Sequence, residues 1–161
     1  MSETTKKEWV DWLDAKVLQK AVVIDEANNM LALKRTETGP AGRLGKWDLP
    51  GGSISTEDLE DQQDDTKPHL AAITREVREE TGLESVDVRS VFVDSWTFTR
   101  YPGTILGVAV GYLVTVQGVK PLVHLSDEHI ASLWGSKEEL LALDFGDDGG
   151  LHPSIIHAAQ N

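Results

Sequence analysis

The sequence predicts an α+β fold, a mixed β-sheet carrying helices on its faces. Segments rich in Val, Ile, Thr and aromatic residues outnumber the helical ones. The two kinds do not alternate in the strand-helix-strand order that builds a purely parallel sheet. A chain of 161 residues, 40% apolar, can bury one core and is too short for two. A single domain over residues 1–161 is therefore expected.

Taken in order, Lys6 to Lys16 place Trp9, Val10, Trp12 and Leu13 at near-helical spacing, which predicts a short helix or an arm over residues 1–16. Val17 to Ile24 and Met30 to Lys34 are β-prone, with the polar run Asp25 to Asn29 as a hairpin connection. A Gly/Pro-rich stretch follows, TGPAGRLGKWDLPGG, with a short strand at Trp47 to Leu49 and then the Pro50-Gly51-Gly52 turn. An acidic segment, Ser53 to Lys67, leads to the strongest helix, Pro68 to Thr81. Asp65 or Thr66 can cap it, Pro68 suits its first turn and Gly82 its left-handed stop. Val86 to Val93, Trp96 to Arg100 and Ile105 to Val116 are the next strand candidates. Ser136-Lys137-Glu138-Glu139 is a capping box opening a helix to about Leu143, and His152-Pro153-Ser154 begins a last short helix.

A net charge of -12 excludes a protein that tracks long nucleic acid, because neutralising a phosphate backbone takes clustered Lys and Arg. It leaves open a small phosphorylated ligand met through divalent cations that surplus carboxylates gather. With no Cys, disulfide frameworks, thiolate zinc sites and cysteine nucleophiles are excluded. No apolar run is long enough to span a bilayer and the start, MSETTKKEW, is polar, so a cytoplasmic protein without membrane contact is expected.

On the Pro68 to Thr81 helix, a step of about 100° per residue puts Glu76, Glu79 and Glu80 on one face, with Leu70, Ile73 and Val77 roughly a quarter-turn away. Three carboxylates this close repel one another, and a hard divalent cation with oxygen ligands removes the repulsion. Arg75, four residues before Glu79, is placed to hold that side chain by a two-point hydrogen bond.

The string Arg75-Glu76-Val77-Arg78-Glu79-Glu80-Thr81-Gly82-Leu83, preceded by Pro50-Gly51-Gly52, resembles the Nudix hydrolases. It matches the R-E-U-x-E-E-x-G-U half of their box at every fixed position, U being aliphatic. GKWDLPGG is a common lead-in, and Leu125 to His129 followed by Trp134 resembles the acidic-His stretch before a Trp that the family often carries. The resemblance implies an α/β/α sandwich and hydrolysis of a pyrophosphate linkage, in a nucleoside di- or triphosphate or a nucleoside diphosphate joined to another group. It implies Mg²⁺, with Mn²⁺ as substitute, held by Glu76 and Glu80 with the Gly52 carbonyl. Glu79 would be a further ligand or the base that activates water, Glu128 the second candidate base, and Arg75 structural.

The chain departs from the family pattern in one place. Arg75 follows Gly52 by 23 positions, more than the pattern allows, and the extra residues fall within Glu57 to Lys67. The box glutamate of that segment has Asp58 in its place, with Glu57 and Glu60 as alternatives. The segment is expected to be a lengthened surface loop. Arg35, Arg43 and Lys46 surround the preceding loop as candidate phosphate contacts, Arg35 first among them. Trp96, Phe98 and Tyr101 are read as packing aromatics rather than a base-stacking platform, and His124, His129, His152 and His157 as surface or capping residues. A homodimer is expected.

Overall fold

The computed structural model describes residues 15–39, 43–60, 67–100, 103–146 and 150–160. Within them lie six strands, β1 (Ala15–Ile24), β2 (Met30–Arg35), β3 (Trp47–Asp48), β4 (Ser85–Arg100), β5 (Gly103–Val116) and β6 (His129–Gly135). The helices are α1 (Glu57–Glu60), α2 (Pro68–Thr81), α3 (Lys137–Leu141) and α4 (Leu151–Ala158). β1 runs parallel to β5, and every other ladder is antiparallel, so the sheet is mixed as expected.

The site owes its position to a splay between the first two strands. They pair only at Ile24 and Met30. Asp25 fixes this corner, its carboxylate accepting from the N–H groups of Ala27, Asn29 and Lys120 and from the Asn29 amide. Beyond the corner β2 pairs with β6 on one edge and with β3 on the other. The chain after β3 then crosses to β1. Ala21 N donates to Pro50 O at 2.8 Å, Gln19 N to Gly52 O at 2.7 Å and Ile54 N to Val17 O at 3.1 Å. Residues 47–54 thus form a wedge between the two strands.

Alternation along β1, β2 and β5 sends successive side chains to opposite faces. On one face Ala21, Val23, Leu31, Leu33, Tyr112 and Val114 pack with Ile73 and Val77 of α2. On the other, Val22, Met30, Ala32 and Leu113 pack with Leu140, Ile155 and Ile156 of α3 and α4. Helices therefore cover both faces.

Several expectations need correction. β1 begins at Ala15, so Ala15 and Lys16 belong to the sheet and not to an arm; residues 1–14 of the expected arm lie outside the described residues. Val86 to Val93 and Trp96 to Arg100 are one strand, whose irregularity is absorbed by register shifts between Ser85 and Asp87 and between Ser90 and Phe92. β6 was not foreseen. It is short, and its existence depends on the β2 edge that it pairs with. The start of the acidic segment is helical (α1), and α2 is preceded by an extended Lys67 without a side-chain cap; Asp65 and Thr66 lie outside the described residues. The capping box at Ser136 and Glu139 is present.

One carboxylate holds the wedge. Asp48 is 1% exposed, with Oδ1 at 2.8 Å from Lys20 Nζ and 2.7 Å from His152 Nε2, and Oδ2 at 3.1 Å from Arg35 Nη1 and 2.9 Å from Arg43 Nη2. Burial alone would raise its pKa, but Lys20, the His152 hydrogen bond and Arg43 outweigh burial and hold Asp48 well below the usual carboxylate range. Lys20 Nζ also reaches the carbonyls of Leu49, at 3.1 Å, and Gly51, at 3.4 Å. Asp48→Ala leaves Lys20 buried without its counter-charge, so a loss of about 3–5 kcal/mol in urea unfolding at neutral pH is expected. A loss below about 1 kcal/mol would show that the wedge is held by something else.

Candidate active site

α2 is oriented by its apolar stripe, since Ile73 and Val77 are fully buried against the sheet, and it ends at Gly82, whose N–H donates to Arg78 O at 2.8 Å. This fixes the depth of each carboxylate. Glu80 is 8% exposed, the Glu76 side chain 17% and the Glu79 side chain 55%. Glu80 Oε2 accepts from Gly51 N at 2.8 Å. Glu76 lies against Gly52, where a Cβ would come within 2.7 Å of Glu76 Oε1. Gly51 is equally constrained, at φ 140 with a virtual Cβ 2.2 Å from Gln19 O. Gly51 lets the wedge lie against the β1 backbone, and Gly52 lets it pass within touching distance of the helix.

Arg75 organises the outer rim. Its Nε and Nη2 grip the Asp58 carboxylate at 2.9 and 3.2 Å, Nη1 donates to Glu79 Oε2 at 2.8 Å and Nη2 to Glu76 Oε1 at 3.1 Å. The two-point bond expected for Glu79 is thus made to Asp58, and Glu79 receives a single donor. Asp58 also accepts from Ser55 N and Ser55 Oγ. Arg75 holds Asp58 below the usual carboxylate range. The acidic segment is therefore anchored at its start, which a plain solvated loop would not be.

The facing wall comes from the segment before β6. His124 N donates to Thr81 O at 2.8 Å, and Ser126 N to Glu80 O at 3.4 Å. A pocket results, lined by Gly51, Gly52, Glu76, Glu79, Glu80, Ser126, Asp127 and Glu128. Among the described residues no group of three acidic or imidazole side chains forms a ready-made ion cage; Glu79 is turned onto Arg75. Glu76 and Glu80 remain as two deeply set carboxylates. Burial, outweighing Lys20 and the Gly51 N–H and assisted by Asp48 and Glu76, pushes Glu80 up to about 7. Burial also raises Glu76 against the pull of Arg75. The Gly52 carbonyl, bonded to Gln19 N, keeps a second lone pair. Hard oxygens of this kind, under-compensated and half-buried, suit a hard divalent cation.

The structure brings Gly52, Glu76, Glu79, Glu80, Arg75 and Glu128 together. Arg35 and Arg43 are turned to Asp48, Lys46 pairs with Asp144, and none of the three lines this pocket. His129 and His152 are buried, against the surface role expected of them. Burial lowers the His129 pKa, and His152 stacks on Phe145 with ring centroids 4.8 Å apart. Trp96 packs over Gly107, consistent with packing; the Phe98 side chain and Tyr101 lie outside the described residues. The sequence reading missed Lys20 and Asp48. Lys20 had a signal, since a Lys directly before the apolar run Ala21 to Ile24 of a buried strand must find a counter-charge.

Solved structures with the same fold include a MutT protein from Methanosarcina mazei Go1, at a TM-score of 0.58 and 23% identity, covering 92% of this chain and 94% of that one. The NUDIX domain of Shewanella oneidensis NrtR, solved with ADP ribose, gives 0.62 at 18% identity, covering 99% and 97%. An Ap4A hydrolase of C. elegans gives 0.57 at 14% identity, covering 92% and 96%. No curated protein matches the sequence. The NUDIX domain family model matches residues 17–153, a span that takes in the wedge, α2 and the facing wall, and the chain therefore belongs to the NUDIX family.

Proposed function

We propose that the protein is a divalent-metal-dependent hydrolase of pyrophosphate linkages, acting on a nucleoside di- or triphosphate or on a nucleoside diphosphate joined to another group. The observation that carries this reading is the pair Glu76 and Glu80, set side by side against Gly51 and Gly52 with both pKa values raised.

Glu76, Glu80 and the Gly52 carbonyl would hold Mg²⁺, or Mn²⁺ in its place. The bound ion supplies positive charge that offsets the charge developing on the anhydride oxygens and orients the attacking water. The protein's own groups do the rest. Water oxygen bonds to phosphorus, the bridging P–O bond breaks, and the water's proton passes to a carboxylate at the rim. Glu79 is assigned that role because it is the most exposed of the three and the Arg75 guanidinium orients it. Glu128, on the opposite wall, is the alternative. Arg75, itself held by Asp58, orients Glu76 and Glu79 directly. Arg35 and Arg43 are assigned to charge compensation at Asp48, leaving the ion as the principal phosphate contact.

A second reading, a non-catalytic nucleotide-binding domain, is favoured by the ADP ribose bound to the NrtR domain. Incubation with nucleoside triphosphates, ADP-ribose, dinucleoside polyphosphates and nucleotide sugars, with Mg²⁺ or Mn²⁺, separates the two. Release of phosphate or pyrophosphate supports hydrolysis; saturable binding without release favours the binder.

Glu76→Gln and Glu80→Gln each remove charge with little change of volume, and turnover is expected to fall by orders of magnitude with the fold retained. Wild-type activity in either would overturn the ligand assignment. For the base, Glu79→Gln is expected to lower kcat by on the order of 10²–10⁴-fold and Glu128→Gln by less than tenfold; the reverse order would move the role to Glu128.

The metal-free protein carries a pH signature. Because burial raises Glu80 to about 7, the folded state binds more protons than the unfolded state between about pH 4.3 and that value. The associated stability is full below the unfolded pKa and is lost as pH rises through the folded one. Tm of the metal-free protein should fall between about pH 5 and pH 8, less so in Glu80→Gln. Saturating Mg²⁺ should remove the fall by binding the ionised form. A wild-type Tm equally flat without metal would contradict the burial of Glu80.

A further inference from the structure

Among the features that the catalytic reading leaves without a role, the edge strand β4 stands out by its length and exposure. Among the described residues, β4 pairs with β5 on one side and with no strand on the other, over 16 residues. Its exposed side chains include Val86 at 56%, Val93 at 67% and Trp96 at 42%. A long, β-prone edge of this kind offers a row of backbone donors and acceptors to another strand.

Side-chain directions along β4 follow from its register. Arg89 lies opposite Leu113 and Asp94 opposite Ala109, alternate residues of β5 on the α4 face, since Leu113 packs in the α4 core cluster and Gly111, between them, faces Ile155. Arg89 and Asp94 are five positions apart, and regular alternation would put them on opposite faces. The register shift between Ser90 and Phe92 restores them to the same one. A two-fold axis perpendicular to the sheet, midway between Val91 and Phe92, would then set Arg89 of one chain opposite Asp94 of the other, twice over. Every neighbouring pair matches in face as well: Val88 with Ser95, Ser90 with Val93, and Asp87 with Trp96. No like charges meet. Neither Arg89 nor Asp94 enters an ion pair among the described residues.

We propose that β4 is a docking edge for a second copy of this chain, joined antiparallel about the Val91–Phe92 midpoint and keyed by two symmetric Arg89–Asp94 pairs. The symmetry is isologous, so the contact closes as a dimer. The proposal does not depend on the reaction that the protein performs.

Sedimentation of the full chain is expected to show a dimer at about 100 μM. Arg89→Asp and Asp94→Arg should each weaken it at least about tenfold, because a like pair replaces an opposite one twice per dimer, and the double variant Arg89→Asp/Asp94→Arg should restore it. Thermal melts of the separate variants verify that the fold is kept. Because the chain has no Cys, Ser90→Cys/Val93→Cys tests the register directly and should give a covalent dimer on mild oxidation. A wild-type monomer throughout this range, as when another part of the same chain covers the edge, overturns the proposal. So does a dimer that both charge reversals leave intact.

Discussion

Every part of the site rests on keeping residues 47–54 between β1 and β2, and the buried Asp48 carboxylate is what keeps them there. Strands that splay after one paired residue expose backbone groups on both inner edges, and those groups must find partners. The wedge supplies them, bonding to β2 through β3 and to β1 through Pro50 and Gly52. The charge cluster adds direction. Lys20 leaves β1 toward Asp48 and the carbonyls of Leu49 and Gly51, so that strand, wedge and turn are tied at one ammonium. Three cations around one carboxylate are tolerable because Arg35 and Arg43 keep part of their surface in water while Lys20, the most buried of the three, has the shortest contact.

From that frame the acidity of the site follows. A wedge pressed against α2 excludes water from Glu80 first and Glu76 next, and leaves Glu79 near solvent. Desolvation penalises the ionised form, so the two inner carboxylates hold protons more tightly than they would in water. The outer rim answers differently, with Arg75 spread over Asp58, Glu76 and Glu79. Charge is compensated at the rim and left uncompensated at depth. That imbalance suits a hard cation, and under the proposed function such an ion would let a chain of net charge -12 meet a polyanionic ligand that its own side chains would repel.

How much of this was legible in the sequence depended on whether the signal was local. α2 could be read to its final residue because periodicity, Pro68 and Gly82 agree. The capping box of α3 was equally local. β6 was not, since it is short and its ladder depends on a strand about a hundred positions away in the chain. Arg75 showed the same division. Its neighbourhood to Glu79 is written in helix geometry, but its stronger partner, Asp58, lies across an acidic segment whose length obscured the match. Lys20 and Asp48 are separated by 28 positions, and nothing in either neighbourhood names the other.

The lengthened segment between wedge and helix is then less of an anomaly than its length suggests. What the helix requires of it is one carboxylate at the Arg75 guanidinium, and Asp58 provides this at the start of the segment, on α1, with Ser55 fixing its orientation. A shorter side chain than glutamate suffices because α1 brings its backbone close to α2. The additional residues fall in sequence between two anchored points, Asp58 and Pro68. The carboxylate face of α2 and the turn at Gly51 and Gly52 are thereby set by contacts of their own, the Arg75–Asp58 pair, the Glu80–Gly51 hydrogen bond and the buried stripe of α2, whatever the length of chain between Asp58 and Pro68.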